Sequence, residues 1–140
     1  MSDCIFCKII ANEIPSTRVY EDDMVMAFFD IFPINPGHTL IIPKKHFEFL
    51  SEMGPEYAAP MWETGRKIAF AVRKAGIKCE AVNLHLADGS VAGQEIPHVH
   101  LHVIPRFKGD STGFKVPHDR KRPDNEEWDR IAEAMRASLR

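Results

Sequence analysis

The chain has 140 residues, a formal net charge of -2 at pH 7 and three cysteines. That length is most simply one domain with room for a core. The near-neutral charge argues against nucleic acid or an anionic membrane as partner, and an odd cysteine count does not suit a disulfide framework. No apolar run approaches membrane-spanning length and Met1-Ser2-Asp3-Cys4 has no basic leader pattern, so a cytoplasmic chain is expected.

Cys4 to Ile10 is a short apolar segment of one or two helical turns, and Cys4 and Cys7 form a C-x2-C pair able to share one partner. Residues 18–21 and 24–29 read as two strands joined at Glu21-Asp22-Asp23, a hairpin by pattern. Residues 30–37, with two prolines and a glycine, make a loop. His38 to Pro43 is a third strand, followed by a connection up to Met53 in which Lys44 and Lys45 read as a solvated corner. A main helix over residues 55–75 starts with Pro55 at a first helical position and ends before Gly76. Met61, Gly65, Ile68, Ala69 and Val72 fall on one face, and Trp62 and Phe70 beside them read as core. Pro60 implies a later start or a bend.

Cys79 to Leu86 alternates as a fourth strand, in which Cys79 is a small core residue and His85 a lone histidine of structural or exposed type. Ala87 to Ile96 contains Gly89 and Gly93 among small polar residues, a turn whose backbone amides could face an anion. From His98 to Val103 polar and apolar residues alternate strictly between Pro97 and Pro105, which a half-buried strand requires. Val99, Leu101 and Val103 then enter the core while His98, His100 and His102 share the other face, successive imidazoles about 6.6 Å apart. Packing does not call for three imidazoles on one strand face, so a working site is expected there. Beyond Arg106 come a loop at 108–113, a basic stretch at 118–122 read as solvated loop, and a helix capped by Asp124 with Trp128, Ile131, Met135 and Leu139 on one face.

The run His98-Val99-His100-Leu101-His102-Val103-Ile104 resembles the His-φ-His-φ-His-φ-φ signature of the histidine triad (HIT) nucleotide-binding proteins. Cys4-Ile5-Phe6-Cys7-Lys8-Ile9, Tyr20-Glu21-Asp22, Asp30-Ile31, residues 36–44 and Ala92-Gly93-Gln94 are similar to that family in the same order, so the likeness covers residues 4–106 and leaves 107–140 as a variable extension with a helix. The resemblance implies an α+β domain. Its five-stranded antiparallel sheet carries the main helix on one face, and two copies form a dimer that joins their sheets. It implies a hydrolase acting at the α-phosphate of purine nucleoside phosphoramidates or related conjugates. His100 is then the nucleophile of a nucleotidyl-histidine intermediate, with His102 and Gln94 on phosphate oxygens and the amides of the Gly93 loop assisting. Asp30 is implied for the ribose hydroxyls, Ile31 for the base or sugar pocket and His38 for the triad's hydrogen bonds. Some bacterial members also bind zinc, which implies Cys4, Cys7, His46 and His98 as a tetrahedral site, against a metal-free or redox-active cysteine pair. Glu95 and Ala87 depart from the family's common contact residues. His102 stands where nucleotidyltransferase relatives have glutamine, which favours hydrolysis. Dinucleoside polyphosphate cleavage and a nucleotide-binding scaffold are the alternatives.

Overall fold

Residues 25–29 and 39–43 are apolar at almost every position, the pattern of strands covered on both faces. The computed structural model, which describes residues 3–110 and 121–139, has that arrangement. A short helix α1 (Ile5–Ile10) precedes β1 (Arg18–Glu21), β2 (Val25–Phe29) and β3 (Thr39–Pro43). The long helix α2 (Pro55–Lys74) leads to β4 (Ala81–His85) and β5 (Leu101–Arg106), and α3 (Asn125–Ser138) ends the chain. The strands form one sheet in the order β1-β2-β3-β5-β4, every neighbouring pair antiparallel. This is the expected α+β fold with a five-stranded sheet. The 111–113 and 118–120 parts of the expected loops lie outside the described residues.

Alternation along the strands divides the core into two layers. Val25, Ala27, Ile41, Leu101 and Val103 pack against Met61, Ile68 and Val72 of α2, whereas Met26, Phe28, Leu40 and Ile42 pack against Cys4, Phe6 and Ile9 around α1. The sheet is thus closed by a long helix on one side and only partly covered by a short one on the other. Gly65 lets α2 sit close to the sheet: a Cβ there would meet Leu101 Cδ2 at 3.0 Å and Leu84 Cδ2 at 3.3 Å.

Several expectations change. Trp62 and Phe70 are 63% and 64% exposed and not core, because at 100° per residue they fall off the Met61–Gly65–Ile68–Val72 stripe. The helix runs through Pro60. The missing N–H there costs one bond, to the carbonyl of Glu56, and the chain continues helical on both sides. The histidine strand begins later than its pattern implies, at Leu101, and continues through Pro105. Residues 97–100 lie outside the ladder, and the Val99 N–H bonds Phe47 O instead (2.8 Å). Pro105 is tolerated because the β3–β5 ladder ends at Val103 and the Pro105 carbonyl turns instead to Asn35 Nδ2 (2.8 Å), so no strand needs the N–H that proline lacks. Asp124 caps α3 by accepting from the Glu127 N–H (2.9 Å), but none of that helix's residues is buried.

Candidate active site

The half-covered face of the sheet holds a cleft of about 700 Å³, within the range of small-ligand sites. Apolar side chains of α1 (Ile5, Phe6, Ile9) and of the β2–β3 connection (Ile31, Phe32, Ile34) form one part of its wall, and His38, His85, His100 and His102 form a polar part. Of the three expected histidines, His100 and His102 line the cleft. His98 does not, because its ring is fully buried beside Cys4. Phe6 lies edge-on to both His98 and His100, with ring centroids 5.8 and 5.1 Å away, and so holds the two imidazoles apart.

Hydrogen bonds fix which nitrogen of each ring carries its proton. His100 Nδ1 lies 2.8 Å from the carbonyl of His98, so Nδ1–H donates and Nε2 keeps the free lone pair. The backbone N–H of Ile34 donates to His38 Nδ1 (3.0 Å), so His38 carries its hydrogen on Nε2. That hydrogen reaches His102 Nδ1 (2.9 Å), which leaves His102 with an Nε2–H donor. The cleft therefore presents one imidazole as nucleophile or base and its neighbour as hydrogen-bond donor, ring centroids 4.9 Å apart. The same assignment decides a second donor group. Asp30, His38 and His102 are close enough to suggest a metal, but the protonated Nε2 of His38 cannot ligate one and acts as a relay.

The other expected residues divide. Asp30 lines the cleft, with Oδ1 accepting from the Phe32 N–H (2.9 Å) and Oδ2 3.6 Å from His38 Nε2. Ile31 lines it at the mouth. Gly93 contributes to the wall in a left-handed conformation (φ +97°), which favours glycine. Three amides of its loop, those of Ala92, Gly93 and Gln94, are turned inward and donate to the carbonyls of Gly89 and Ser90 within the turn. Gln94 is likewise not at the cleft. Its Oε1 accepts from the Gly89 N–H (2.7 Å) and its Nε2 donates to Glu48 O (2.9 Å), so the side chain braces the loop where a phosphate contact was expected. His85, read as a lone histidine of structural or exposed type, lines the cleft. It faces His102 across the β4–β5 ladder with ring centroids 5.5 Å apart, a register that no single-strand pattern reveals.

Cys4, Cys7, His46 and His98 converge beneath α1, their ligand atoms all within 4.8 Å of one another. Cys4 Sγ and Cys7 Sγ lie 3.4 and 3.6 Å from His98 Nδ1, and Cys7 Sγ lies 3.4 Å from His46 Nδ1. A tetrahedron with ordinary Zn–S and Zn–N bonds has an S···N edge of about 3.5 Å, so the residues fit this metal. His98 Nε2 donates to the carbonyl of Pro43 (2.9 Å), which leaves Nδ1 as the ligand atom. Burial, together with the neighbouring Cys4, pushes the Cys7 thiol up to about 11, the opposite of what a reactive redox cysteine needs. His98 joins the two sites, since its ring belongs to the cysteine group and its carbonyl orients His100.

Burial first, then the neighbouring His100, His38 and His85, push His102 down to about 3. An unfolded chain's histidine titrates near about 6.5, so between those values the unfolded state binds more protons. The stability gained by keeping His102 neutral is complete above that pH and is lost as pH falls toward 3. Urea unfolding followed from pH 7 down to about 4 should therefore lose stability with a steeper slope in wild type than in His102→Gln. Equal slopes would contradict this.

A model of the HIT domain matches residues 11–109. An uncharacterised HIT-like protein of Borreliella burgdorferi is 49% identical over 116 residues, 82% of this chain and 84% of its own. The adenylylsulfatase HINT3 of Arabidopsis thaliana is 43% identical over 109 residues, 78% of this chain and 55% of that longer protein. The crystal structure of a zinc-bound histidine triad family protein from Mycobacterium smegmatis superposes with a TM-score of 0.76 at 40% identity, covering 99% of this chain and 96% of that one.

Proposed function

The chain belongs to the HIT-domain family, and from that premise we propose that it is a hydrolase of purine nucleoside phosphoramidates or related nucleotide conjugates, working through a covalent nucleotidyl-His100 intermediate. The observation that carries the reading is the hydrogen bond from His100 Nδ1–H to the His98 carbonyl, which leaves Nε2 as a lone pair in the cleft. Attack of that nitrogen on the α-phosphate places positive charge on the ring, and the carbonyl at Nδ1–H stabilises it. His102, with its Nε2–H, is the donor available to a non-bridging phosphate oxygen. Asp30 has an oxygen to offer the ribose hydroxyls, Ile31 and the apolar wall around α1 suit the base, and His38 holds His102 in the donating tautomer. Gly93 shapes the wall, and Gln94 keeps its loop in place. The likeness to an adenylylsulfatase supports hydrolysis at a nucleotide's phosphate.

In this reading the chemistry lies within residues 4–106, and 107–140 is an extension. Cys4, Cys7, His46 and His98 hold one zinc ion, a view supported by the S···N distances and by the zinc-bound relative. When bound, the ion supplies a structural cross-link between α1, the segment after β3 and the segment before β5. The cytoplasm, where thiols stay reduced, suits such a site.

The test is AMP release from adenosine 5′-phosphoramidate and from diadenosine polyphosphates. Nucleotide that binds tightly while neither substrate is ever cleaved would replace the hydrolase with a binding scaffold. The edge of β4, unpaired among the described residues, and the exposed Trp62 and Phe70 on α2 support a homodimer with joined sheets. Sedimentation at micromolar concentration should give twice the 15.9 kDa chain mass, and a purely monomeric species would contradict it.

A further inference from the structure

The β2–β3 connection is exposed from Ile31 to Pro36 except at Asn35, whose polar side chain is buried. Its amide nitrogen Nδ2 donates to the Pro105 carbonyl of β5 (2.8 Å) and to Asp110 Oδ2 (2.9 Å). Both partners only accept, so the nitrogen and not the oxygen of the amide must face them. Asp110 lies beyond Arg106, in the extension, and is itself held by that arginine, Nε donating to Oδ2 and Nη2 to Oδ1 (2.7 Å each). Arg106 Nη1 donates in turn to Asn83 Oδ1 on β4 (2.9 Å). A network whose members are all satisfied holds one arrangement, and removing one member strands the others.

The network reaches the histidines through the residues that follow Asn35. The His38 N–H closes a turn on the Asn35 carbonyl (3.1 Å), with Pro36 and Gly37 at its centre and Gly37 at φ +93°, a conformation that favours glycine. Asn35 thus fixes where this turn stands relative to β5, the strand that carries His102. In that position the Ile34 N–H meets His38 Nδ1 (3.0 Å), and the tautomers of His38 and His102 both depend on this contact. Without it His38 can carry its proton on Nδ1 and accept at Nε2. His102 would then hold its proton on Nδ1 and turn a bare Nε2 toward the substrate, placing an acceptor where a phosphate oxygen needs a donor. We propose that Asn35, anchored by Asp110, is a positioning residue that keeps His102 in its donating tautomer by way of His38. The catalytic part of the inference rests on the hydrolase reading. The nucleoside end of the connection is held independently, since the Asp30 N–H donates to the His38 carbonyl (3.0 Å) and Asp30 Oδ1 accepts from the Phe32 N–H (2.9 Å). Loss of the anchor should therefore act on kcat and not on KM.

The test uses full-length, zinc-loaded protein with nitrogen-15-labelled histidine, as wild type and as Asn35→Ala and Asp110→Asn. Two-bond nitrogen–proton correlation spectra at pH 7 identify which ring nitrogen bears the proton. Wild type should show His38 and His102 protonated at Nε2. Asn35→Ala should populate the Nδ1–H form of both, and Asp110→Asn should do so to a smaller extent. His100 should keep its Nδ1–H in all three proteins, because the His98 carbonyl fixes it separately. With adenosine 5′-phosphoramidate, kcat of Asn35→Ala should fall by about tenfold, a part of the loss expected for removing the donor outright, while KM stays within about twofold. His102 still protonated at Nε2 in both variants would overturn the coupling, whether or not kcat falls. A shifted tautomer with kcat unchanged would overturn its role in catalysis. If wild type cleaves neither the phosphoramidate nor diadenosine polyphosphates, the hydrolase reading fails, and the spectra still decide the coupling by themselves.

Discussion

Replacing His100 with alanine should reduce turnover by on the order of 10⁴-fold or more while adenine nucleotide affinity changes only a few-fold. The two effects separate because the nucleophile contributes one nitrogen to the cleft, whereas the walls come from α1, the β2–β3 connection and the rest of the sheet. The native ring is held on two sides, by the His98 carbonyl at Nδ1 (2.8 Å) and by the edge contact with Phe6, so its lone pair is positioned before substrate arrives. His102→Ala should cost less, on the order of 10²-fold, because it removes a donor to developing charge and leaves the attacking atom in place. Equilibrium dialysis with AMP beside steady-state rates checks both. A His100→Ala protein that hydrolyses at the wild-type rate would move the nucleophile elsewhere.

The double substitution of Cys4→Ala with Cys7→Ala should remove the metal altogether and lower stability by about 4 kcal/mol when free zinc stands a thousandfold above its dissociation constant. Cys4 caps α1, Cys7 lies within it, His46 follows β3 and His98 precedes β5, so their shared ion would tie together three segments far apart in sequence. Catalysis should fall as well, since His98 carries both a ligand nitrogen and the carbonyl that orients His100. Metal analysis of protein purified without chelators, with urea unfolding of both proteins before and after chelation, measures the effect. Zinc content unchanged in the double variant, or absent from wild type, would overturn the site.

Much of the fold was legible because its strands have distinct patterns: Arg18–Glu21 against Val25–Phe29 as a hairpin, and two nearly continuous apolar runs in the middle of the sheet. The place of His100 and His102 in the cleft was legible through the spacing His98-Val99-His100-Leu101-His102, but that spacing also misled. It assumes an unbroken strand, whereas residues 97–100 leave the ladder and His98 passes under α1. The place of His85 in the cleft was not legible for the complementary reason: its partner across the sheet is His102, set by β4–β5 register and not by any local pattern. Gln94 and the Gly93 loop show a third limit. A glycine-rich turn advertises free amides only where its own carbonyls do not accept them, and here Gly89 and Ser90 accept those of Ala92, Gly93 and Gln94. Trp62 and Phe70 neighbour a buried stripe in sequence but point away from it in the helix.

The measurement closest to the central claim is a rapid-quench experiment in which excess wild-type protein meets adenosine 5′-phosphoramidate and is stopped under alkaline conditions that preserve phosphorus–nitrogen bonds. Peptide mass spectrometry should find an adenylyl group on the peptide containing His100, appearing before AMP is released and absent from His100→Ala. AMP released at the full rate with no adduct accumulating on that peptide at any time, or an adduct that maps to another residue, would contradict it.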